Sequence, residues 1–237
     1  MDLILEGLQK AFALIIHLDR ELLGIIGLSL RVSGIALLFA AVLGVPLGAV
    51  LGLARVPAKG AIVSVMNTLM GLPPVVVGLV LYLLLSRSGP LGFLGLLYTP
   101  AAMIAAQTVL AFPIVTALTH TAVVNVDPII RQAALGLGAS PLQTTMTVIS
   151  EARYGIFSGV IAAFGRLMAE VGAILIVGGN IAGQTRVMTT AIALETDKGN
   201  FELAVALGIV LLSLSLAVNV MLHLVQNRGT AQVEIWP

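Results

Sequence analysis

Long stretches without a single charged side chain dominate this sequence. Nothing between Val32 and Ala54 is charged, and a helix over this stretch would be roughly 35 Å long at 1.5 Å per residue. Because the hydrocarbon core of a bilayer is roughly 30 Å thick, such a helix can cross it. Further charge-free stretches run from Gly60 to Ser86 and from Ser88 to Val126. The sequence therefore predicts an all-α protein that crosses a membrane several times.

The composition excludes several classes of protein. Hydrophobic residues make up 59% of the chain and charged residues 10%, whereas soluble domains carry roughly 25% charged residues. A net charge of +1 argues against nucleic-acid binding, which requires a basic face. The absence of cysteine rules out disulfides and thiolate metal sites. His17 and His223 are isolated, so neither a metal site nor a catalytic site is predicted.

Charged residues and turn signals together predict five membrane spans. The Gly89-Pro90 and Tyr98-Thr99-Pro100 turns divide the third charge-free stretch. The predicted spans are Val32–Ala54, Gly60–Ser86, Pro100–Asn125, Tyr154–Asn180 and Leu203–Asn227, the last with Asn200 as its cap. They lie in a transmembrane domain over residues 19–228. Residues 1–18 are amphipathic and predict an interfacial helix, with a short extra span as the alternative, and residues 229–237 predict a loose tail.

Glycines and prolines modify two of these spans. Gly44, Gly48 and Gly52 repeat every four residues in the first span, and this spacing allows another helix to approach closely. Pro73-Pro74 removes two amide donors from the second span and is expected to unwind it locally. Exposed carbonyls are tolerated only against protein or a water-filled cavity. The two prolines therefore predict either a bend that lines a transport pathway or a purely structural kink.

A polar segment from Asp127 to Arg153 contains two helix starts in quick succession. Asp127-Pro128 combines a carboxylate cap with proline at the first helical position. This helix should stop around Gly136 or Gly138. Ser140-Pro141 starts a second helix, and Gln143 completes a capping box with Ser140. With Ser150 as a candidate cap for the fourth span, the segment predicts a rigid helical knob that docks a soluble partner.

Three stretches resemble the molybdate and tungstate permeases of ATP-binding-cassette (ABC) importers. RQAALGLGASPLQTTMTVI is similar to their EAA loop, although Gln132 replaces the usual Glu and the usual Leu-Pro ending is absent. GLPPVVVGLVLYLLLSRSGPLG is similar to their second-span region. FGRLMAEVGAILIVGGNIAGQTRVMTTAIA resembles their Arg-x-x-Gly-Glu-x-Gly-Ala stretch, with Ala169 in place of Gly. Together the stretches look closest to the tungstate branch.

The resemblance implies the type I importer permease fold and a multi-pass location in the inner membrane of a prokaryote. It places residues 127–150 in the cytoplasm as the coupling segment for a dimer of ATPase subunits, and the Ile181–Asn200 loop outside. The coupling residues it implies are Asp127, Arg131, Gln132, Ala133, Ala134, Gly138, Ala139 and Ser140. The other partners it implies are a second copy of this chain, an extracytoplasmic oxyanion-binding protein and membrane lipid.

Candidate residues for the transport pathway or its gate lie in three spans. They are Pro73, Pro74, Thr108, Thr116, Arg166 and Glu170. Arg166 and Glu170 share a helix face, so the alternative for them is an ion pair that fixes helix packing. The alternative for the threonines is a hydrogen bond to their own helix. Gln184, Thr185 and Arg186 are candidates for docking the binding protein, with an ordinary solvated loop as the alternative.

The predicted function is that of a transport subunit rather than an enzyme. None of Lys10, Lys59 and Lys198 lies in a P-loop pattern, so no cofactor is predicted in this chain and ATP and Mg²⁺ would bind the partner ATPase. The cargo would be tungstate or molybdate, carried by alternating access in a homodimer. Alternatives are a permease for sulfate or another oxyanion, an ion-coupled secondary transporter, and an intramembrane enzyme.

Overall fold

The computed structural model describes residues 20–54 and 56–230, with side chains up to residue 220. These residues form nine α-helices and a short 3₁₀ helix at Gly92–Leu94, and no strand occurs among them. The α-helices are α1 (Arg20–Leu53), α2 (Lys59–Met70), α3 (Pro74–Leu85), α4 (Pro100–Val124), α5 (Pro128–Gly136), α6 (Pro141–Met168), α7 (Gly172–Gly178), α8 (Met188–Asp197) and α9 (Phe201–Thr230).

Between three and five helices or helix pairs among the described residues could cross a membrane, and the five predicted spans lie within this range. Helices α1, α4 and α9 are each long and apolar enough to cross a membrane, and the count rises to five if α2 with α3 and α6 with α7 are each one broken span. Helix α4 ends one residue before the predicted boundary, and α9 begins two residues before the predicted start at Leu203. The predicted helix at residues 1–18 and the tail beyond residue 230 lie outside the described residues.

The helix that contains the first predicted span starts before that span. Helix α1 begins at Arg20 rather than Val32 and passes through Arg31 without a break. The residues before Arg31 are mostly leucine and isoleucine, and no proline interrupts them. The side chain of Arg31 is exposed, so it does not disturb the helix. A charge marks where a membrane surface can lie, but it does not by itself end a helix.

The second span is interrupted as the two prolines predict. Helix α2 stops at Met70, and Pro73 adopts an extended conformation with φ −63° and ψ 123°. Pro74 then occupies the first position of α3, where no amide donor is required. Because a residue before proline is pushed out of the helical region, Pro74 forces the extended conformation of Pro73.

The fourth predicted span, Tyr154–Asn180, corresponds to the second part of α6 followed by α7, which ends at Gly178. Helix α6 runs without interruption from Pro141 to Met168, so the second helix of the polar segment and the span are one helix. Ser150 lies inside this helix, where its hydroxyl accepts a hydrogen bond from Arg153, so it is not a cap. No glycine or proline separates Pro141 from Arg153, and nothing local stops the helix. Beyond Met168 the chain leaves the helical conformation and resumes it in α7.

One compact unit contains the described residues of Met1–Ala36, Pro73–Gln107 and Gly165–Pro237. Its apolar core joins the first turns of α1 to α8 and α9. In the same unit α3 and α7 pack closely, because a Cβ atom on Gly78 would lie 2.9 Å from the Cα of Ala173. This unit holds the end of α6, the interruption after it and the loop before α8.

The second compact unit contains Leu37–Leu72 and Thr108–Phe164. Here the predicted close approach along Gly44, Gly48 and Gly52 is confirmed. A Cβ atom on Gly48 would lie 2.5 Å from the carbonyl oxygen of Thr116 in α4. Such glycines let the backbones of two membrane helices approach closely. Van der Waals contacts then hold the helices together, because lipid provides no hydrophobic driving force for their association.

Candidate functional site

Helix α5 opens the polar segment as its sequence predicts. The Asp127 carboxylate accepts a 2.9 Å hydrogen bond from the amide of Ile129, and Pro128 takes the first helical position. The helix ends at Gly136, and Gly138 has a φ of +81°, which glycine adopts without strain. The amide of Ala139 donates to the carbonyl of Ala134 and closes the turn.

Ser140 and Gln143 form the predicted capping box at the start of α6. The amide of Ser140 donates to Oε1 of Gln143 at 2.8 Å, and the amide of Gln143 donates to the hydroxyl of Ser140 at 3.3 Å. Two amide donors that the helix leaves unpaired are thus satisfied reciprocally. The segment has a defined shape at both of its helix starts.

We expect Ser140→Ala to loosen this turn without unfolding the chain. Loss of a serine cap costs about 1 kcal/mol, so amide exchange over residues 137–143 should accelerate about fivefold. Hydrogen exchange followed by mass spectrometry measures this rate. Thr147→Ala is the matched control, because that hydroxyl only donates to the carbonyl of Gln143 in its own helix. Equal exchange in the two variants would contradict the capping role.

The polar segment also exposes a set of large apolar side chains that sequence reasoning missed. Leu137, at the turn, is 89% exposed. The other members of this apolar surface are Ile129, Leu135, Leu142 and Met146. The eight predicted coupling residues are also exposed or half-buried. Exposed apolar side chains rimmed by polar ones are typical of protein interaction surfaces.

Arg166 and Glu170 come together at the interruption after α6. Nη1 of Arg166 donates to Oε2 of Glu170 at 2.9 Å, which agrees with the predicted ion pair. The other carboxylate oxygen, Oε1, accepts a 3.1 Å hydrogen bond from the amide of Ala173, in the first turn of α7. The two side chains differ in burial, at 41% exposed for Arg166 and 2% for Glu170.

Two buried polar side chains of the first compact unit donate hydrogen bonds to the backbone at this interruption. The hydroxyl of Thr189 donates to the carbonyl of Glu170 at 2.7 Å, and Nε2 of Gln107 donates to the carbonyl of Leu167 at 3.1 Å. The carbonyl of Leu167 also accepts a 3.1 Å hydrogen bond from the amide of Glu170, in the turn that follows the helix. The sequence signal that could have found Gln107 is its position as an amide side chain inside the third predicted span.

The other candidate pathway residues are divided between the two units. Thr116 is fully buried, and its hydroxyl donates to the carbonyl of Phe112 in its own helix at 2.8 Å. Thr108 is half-buried in the same unit. Pro73 and Pro74 belong to the unit that contains Arg166 and Glu170. A pathway role for these four residues stays a prediction.

The predicted docking surface in the loop before α8 requires one correction. Thr185 is fully buried, donates to the carbonyl of Gly178 at 2.6 Å and accepts from the amide of Ile181 at 2.9 Å. It therefore shapes the loop from inside and cannot touch a docked protein. Gln184 is exposed, and Arg186 forms an ion pair with Glu21 at 3.5 Å.

The sequence of this chain matches a known protein family. Residues 44–229 match the family described as the inner membrane component of binding-protein-dependent transport systems. The chain belongs to this family. It is an ABC importer permease, a multi-pass protein of the inner membrane, and a transport subunit rather than an enzyme.

Three relatives of this permease come from different microorganisms. The tungstate uptake system permease protein TupB of Peptoclostridium acidaminophilum is 42% identical over 228 residues, which are 96% of this chain and 100% of the relative. A probable anion ABC transporter permease protein of Haloferax volcanii is 46% identical over 84% of this chain and 88% of its own. The molybdenum transport system permease protein ModB of Escherichia coli is 33% identical over 69% and 75%, respectively.

A solved structure confirms the fold of the permease. In a bacterial ABC transporter that imports the acidic polysaccharide alginate, one chain superimposes with a TM-score of 0.73. The match covers 92% of this permease and 83% of that chain, at 18% sequence identity. The type I importer fold implied by the sequence resemblance is therefore present.

Proposed function

We propose that two copies of this permease form the translocation path of an ATP-driven importer for tungstate or molybdate. The observation that carries the proposal is the 42% identity to a tungstate uptake permease along that relative's whole length. A path between two copies follows from the size of the chain, because one five-span subunit is small for enclosing a channel, and closed two-fold symmetry is the commonest assembly.

Energy would reach the path through the segment from Asp127 to Gln143. The apolar surface around Leu137 requires a protein cover, and the two capped helix starts hold its shape. A cytoplasmic ATPase subunit is the partner, and ATP and Mg²⁺ bind to that subunit. Gln132 is exposed and uncharged, so shape and hydrogen bonds carry this contact more than the acid usual in the EAA loop.

On the opposite side, the loop from Gly183 to Asn200 would receive the oxyanion-binding protein. Exposed Gln184 and half-buried Arg186 remain its candidate contacts. Thr185, Thr189 and Thr190 are buried beneath them and fix the loop and the start of α8. The binding protein selects the oxyanion, and the permease passes it to the cytoplasm past the interruption at Glu170.

Reconstitution tests the proposal directly. The permease is placed in liposomes with its ATPase and the binding protein, and ATP hydrolysis is measured with tungstate, molybdate or sulfate. We expect tungstate or molybdate to stimulate hydrolysis and accumulate inside, and the permease alone to do neither. Light scattering of the purified complex should report two permease copies.

Two results would replace the proposal with one of its alternatives. Stimulation by sulfate alone would make the chain a permease for a different oxyanion. Uptake that persists without the ATPase and collapses with the ion gradient would make it a secondary transporter, since coupling energy then comes from the ions.

A further inference from the structure

We infer that Arg166 contacts the oxyanion during its passage, through the guanidinium N–H groups that Glu170 does not occupy, and that Glu170 is the anchor that aims it. The inference rests on the proposed function, because it names a contact within the same transport path. Its first support is the depth of Arg166. The charge-free stretch that follows Arg153 predicts that the crossing part of α6 begins near Tyr154, and twelve residues of helix place Arg166 about 18 Å further along.

The second support is the exposure of this side chain. Arg166 is 41% exposed at a depth where a guanidinium facing lipid is costly. By contrast, α9 exposes large apolar side chains such as Leu212 and Leu216, which are compatible with contact to lipid. The exposed face of Arg166 therefore belongs against water or protein rather than against acyl chains.

The third support is the asymmetry of the pair. Glu170 is buried, and both of its carboxylate oxygens are occupied, one by Arg166 and the other by the amide of Ala173. Thr189 also holds its backbone carbonyl. The negative charge thus points inward and is fixed, while the positive charge points outward. Among the described residues Arg166 makes no other side-chain hydrogen bond than the one from Nη1.

This arrangement suits a passing contact better than a storage site. An arginine fork matches the geometry of a tetrahedral oxyanion. The neighbouring carboxylate offsets much of the guanidinium charge, so the anion is attracted but not retained. Conduction requires binding that is favourable enough to enter and weak enough to leave.

Single thiols test whether the exposed side of the chain at the interruption after α6 is in contact with water. The chain contains no cysteine, so Ala169→Cys introduces the only thiol and leaves Arg166 and Glu170 intact. Ala169 is exposed one residue before Glu170. We expect an anionic, membrane-impermeant methanethiosulfonate to label this thiol in the complete complex, in the nucleotide-free or the vanadate-trapped state. Tungstate or molybdate should slow the labelling.

Leu212→Cys is the matched control, since Leu212 is 71% exposed on an apolar helix. Its labelling should be about tenfold slower or absent, because a thiolate forms poorly in apolar surroundings. An Ala169→Cys thiol that stays as unreactive as Leu212→Cys in both nucleotide states overturns the inference. So does faster labelling by a cationic reagent than by the anionic one.

Charge variants give a second readout. Arg166→Gln removes a charge-assisted hydrogen bond, so we expect oxyanion uptake per ATP hydrolysed to fall about tenfold or more, with Arg166→Lys retaining more of it. Equal uptake by Gln, Lys and the unchanged protein overturns the inference. If neither variant assembles, the Ala169→Cys labelling decides.

Failure of the inference is distinguishable from failure of the proposed function. Labelling of Ala169→Cys by anionic over cationic reagent requires no knowledge of the cargo. If the unchanged complex shows no oxyanion-stimulated hydrolysis, the proposed cargo is wrong. If it is stimulated normally while Ala169→Cys stays unreactive, only the role of Arg166 is wrong.

Discussion

Replacing Leu137 with aspartate should release the ATPase subunit from the permease. Leu137 is 89% exposed at the turn between α5 and α6 and is the most exposed member of the apolar surface there. Truncation of a central interface side chain often costs 2 kcal/mol or more, which is about a thirtyfold loss of affinity. A buried, unpaired carboxylate adds a desolvation penalty to that loss. Co-purification of the two subunits and ATP-dependent uptake measure the effect.

Two controls separate this result from a folding defect. Leu137→Met keeps an apolar side chain of similar volume and should keep the complex. Phe93→Asp places the same new charge at a side chain that is 82% exposed in the 3₁₀ turn of the other unit, and it should leave the ATPase bound. An intact complex with Leu137→Asp would show that the coupling surface lies elsewhere.

The second large effect is expected from a single methyl group at Gly48. A Cβ atom there would lie 2.5 Å from the carbonyl oxygen of Thr116 and 2.7 Å from the Cβ of Thr119. Both contacts involve backbone or Cβ atoms that cannot rotate away, so α1 must move from α4. Overpacking of this kind costs about 1–3 kcal/mol. We expect Gly48→Ala to lower the melting temperature of the purified permease and its yield in the membrane.

Gly34→Ala is the control for that experiment. Gly34 lies in the same helix, and a Cβ atom there would meet nothing within 4 Å. Because alanine is about 1 kcal/mol better than glycine in a helix, this variant should be as stable as the unchanged protein or more so. Thermal unfolding in detergent compares the two. Equal melting temperatures would mean that the α1–α4 contact is looser than the structure shows.

Features decided by neighbouring residues could be predicted from the sequence. The caps at Asp127 and Ser140 and the break at Pro73-Pro74 each depend on residues within four positions. Long apolar stretches likewise reveal membrane helices, although α1 shows that they do not reveal where a helix starts. The resemblance to a permease family rests on such contiguous stretches, and it is confirmed.

Features decided by distant residues could not be predicted. The helix stops at Met168, and Gln107 and Thr189, far away in the sequence, donate hydrogen bonds to the carbonyls of Leu167 and Glu170 on either side of this end. The sequence suggests that Thr185 is an exposed loop residue, yet it is fully buried, and only its hydroxyl partners, Gly178 and Ile181, are close in the sequence. The role of Leu137 could not be predicted either, because the sequence contains many leucines and does not indicate which of them face a partner protein rather than lipid.

The unbroken course of α6 has a mechanical meaning. Its 28 residues form a rod about 42 Å long, which starts at the capping box and ends beside Arg166. A helix of this length behaves as a lever arm: a tilt of about 5° at one end sweeps the other through about 4 Å. A small tilt of α6 at its capping box is therefore enough to displace the other end of the helix by more than the length of a hydrogen bond.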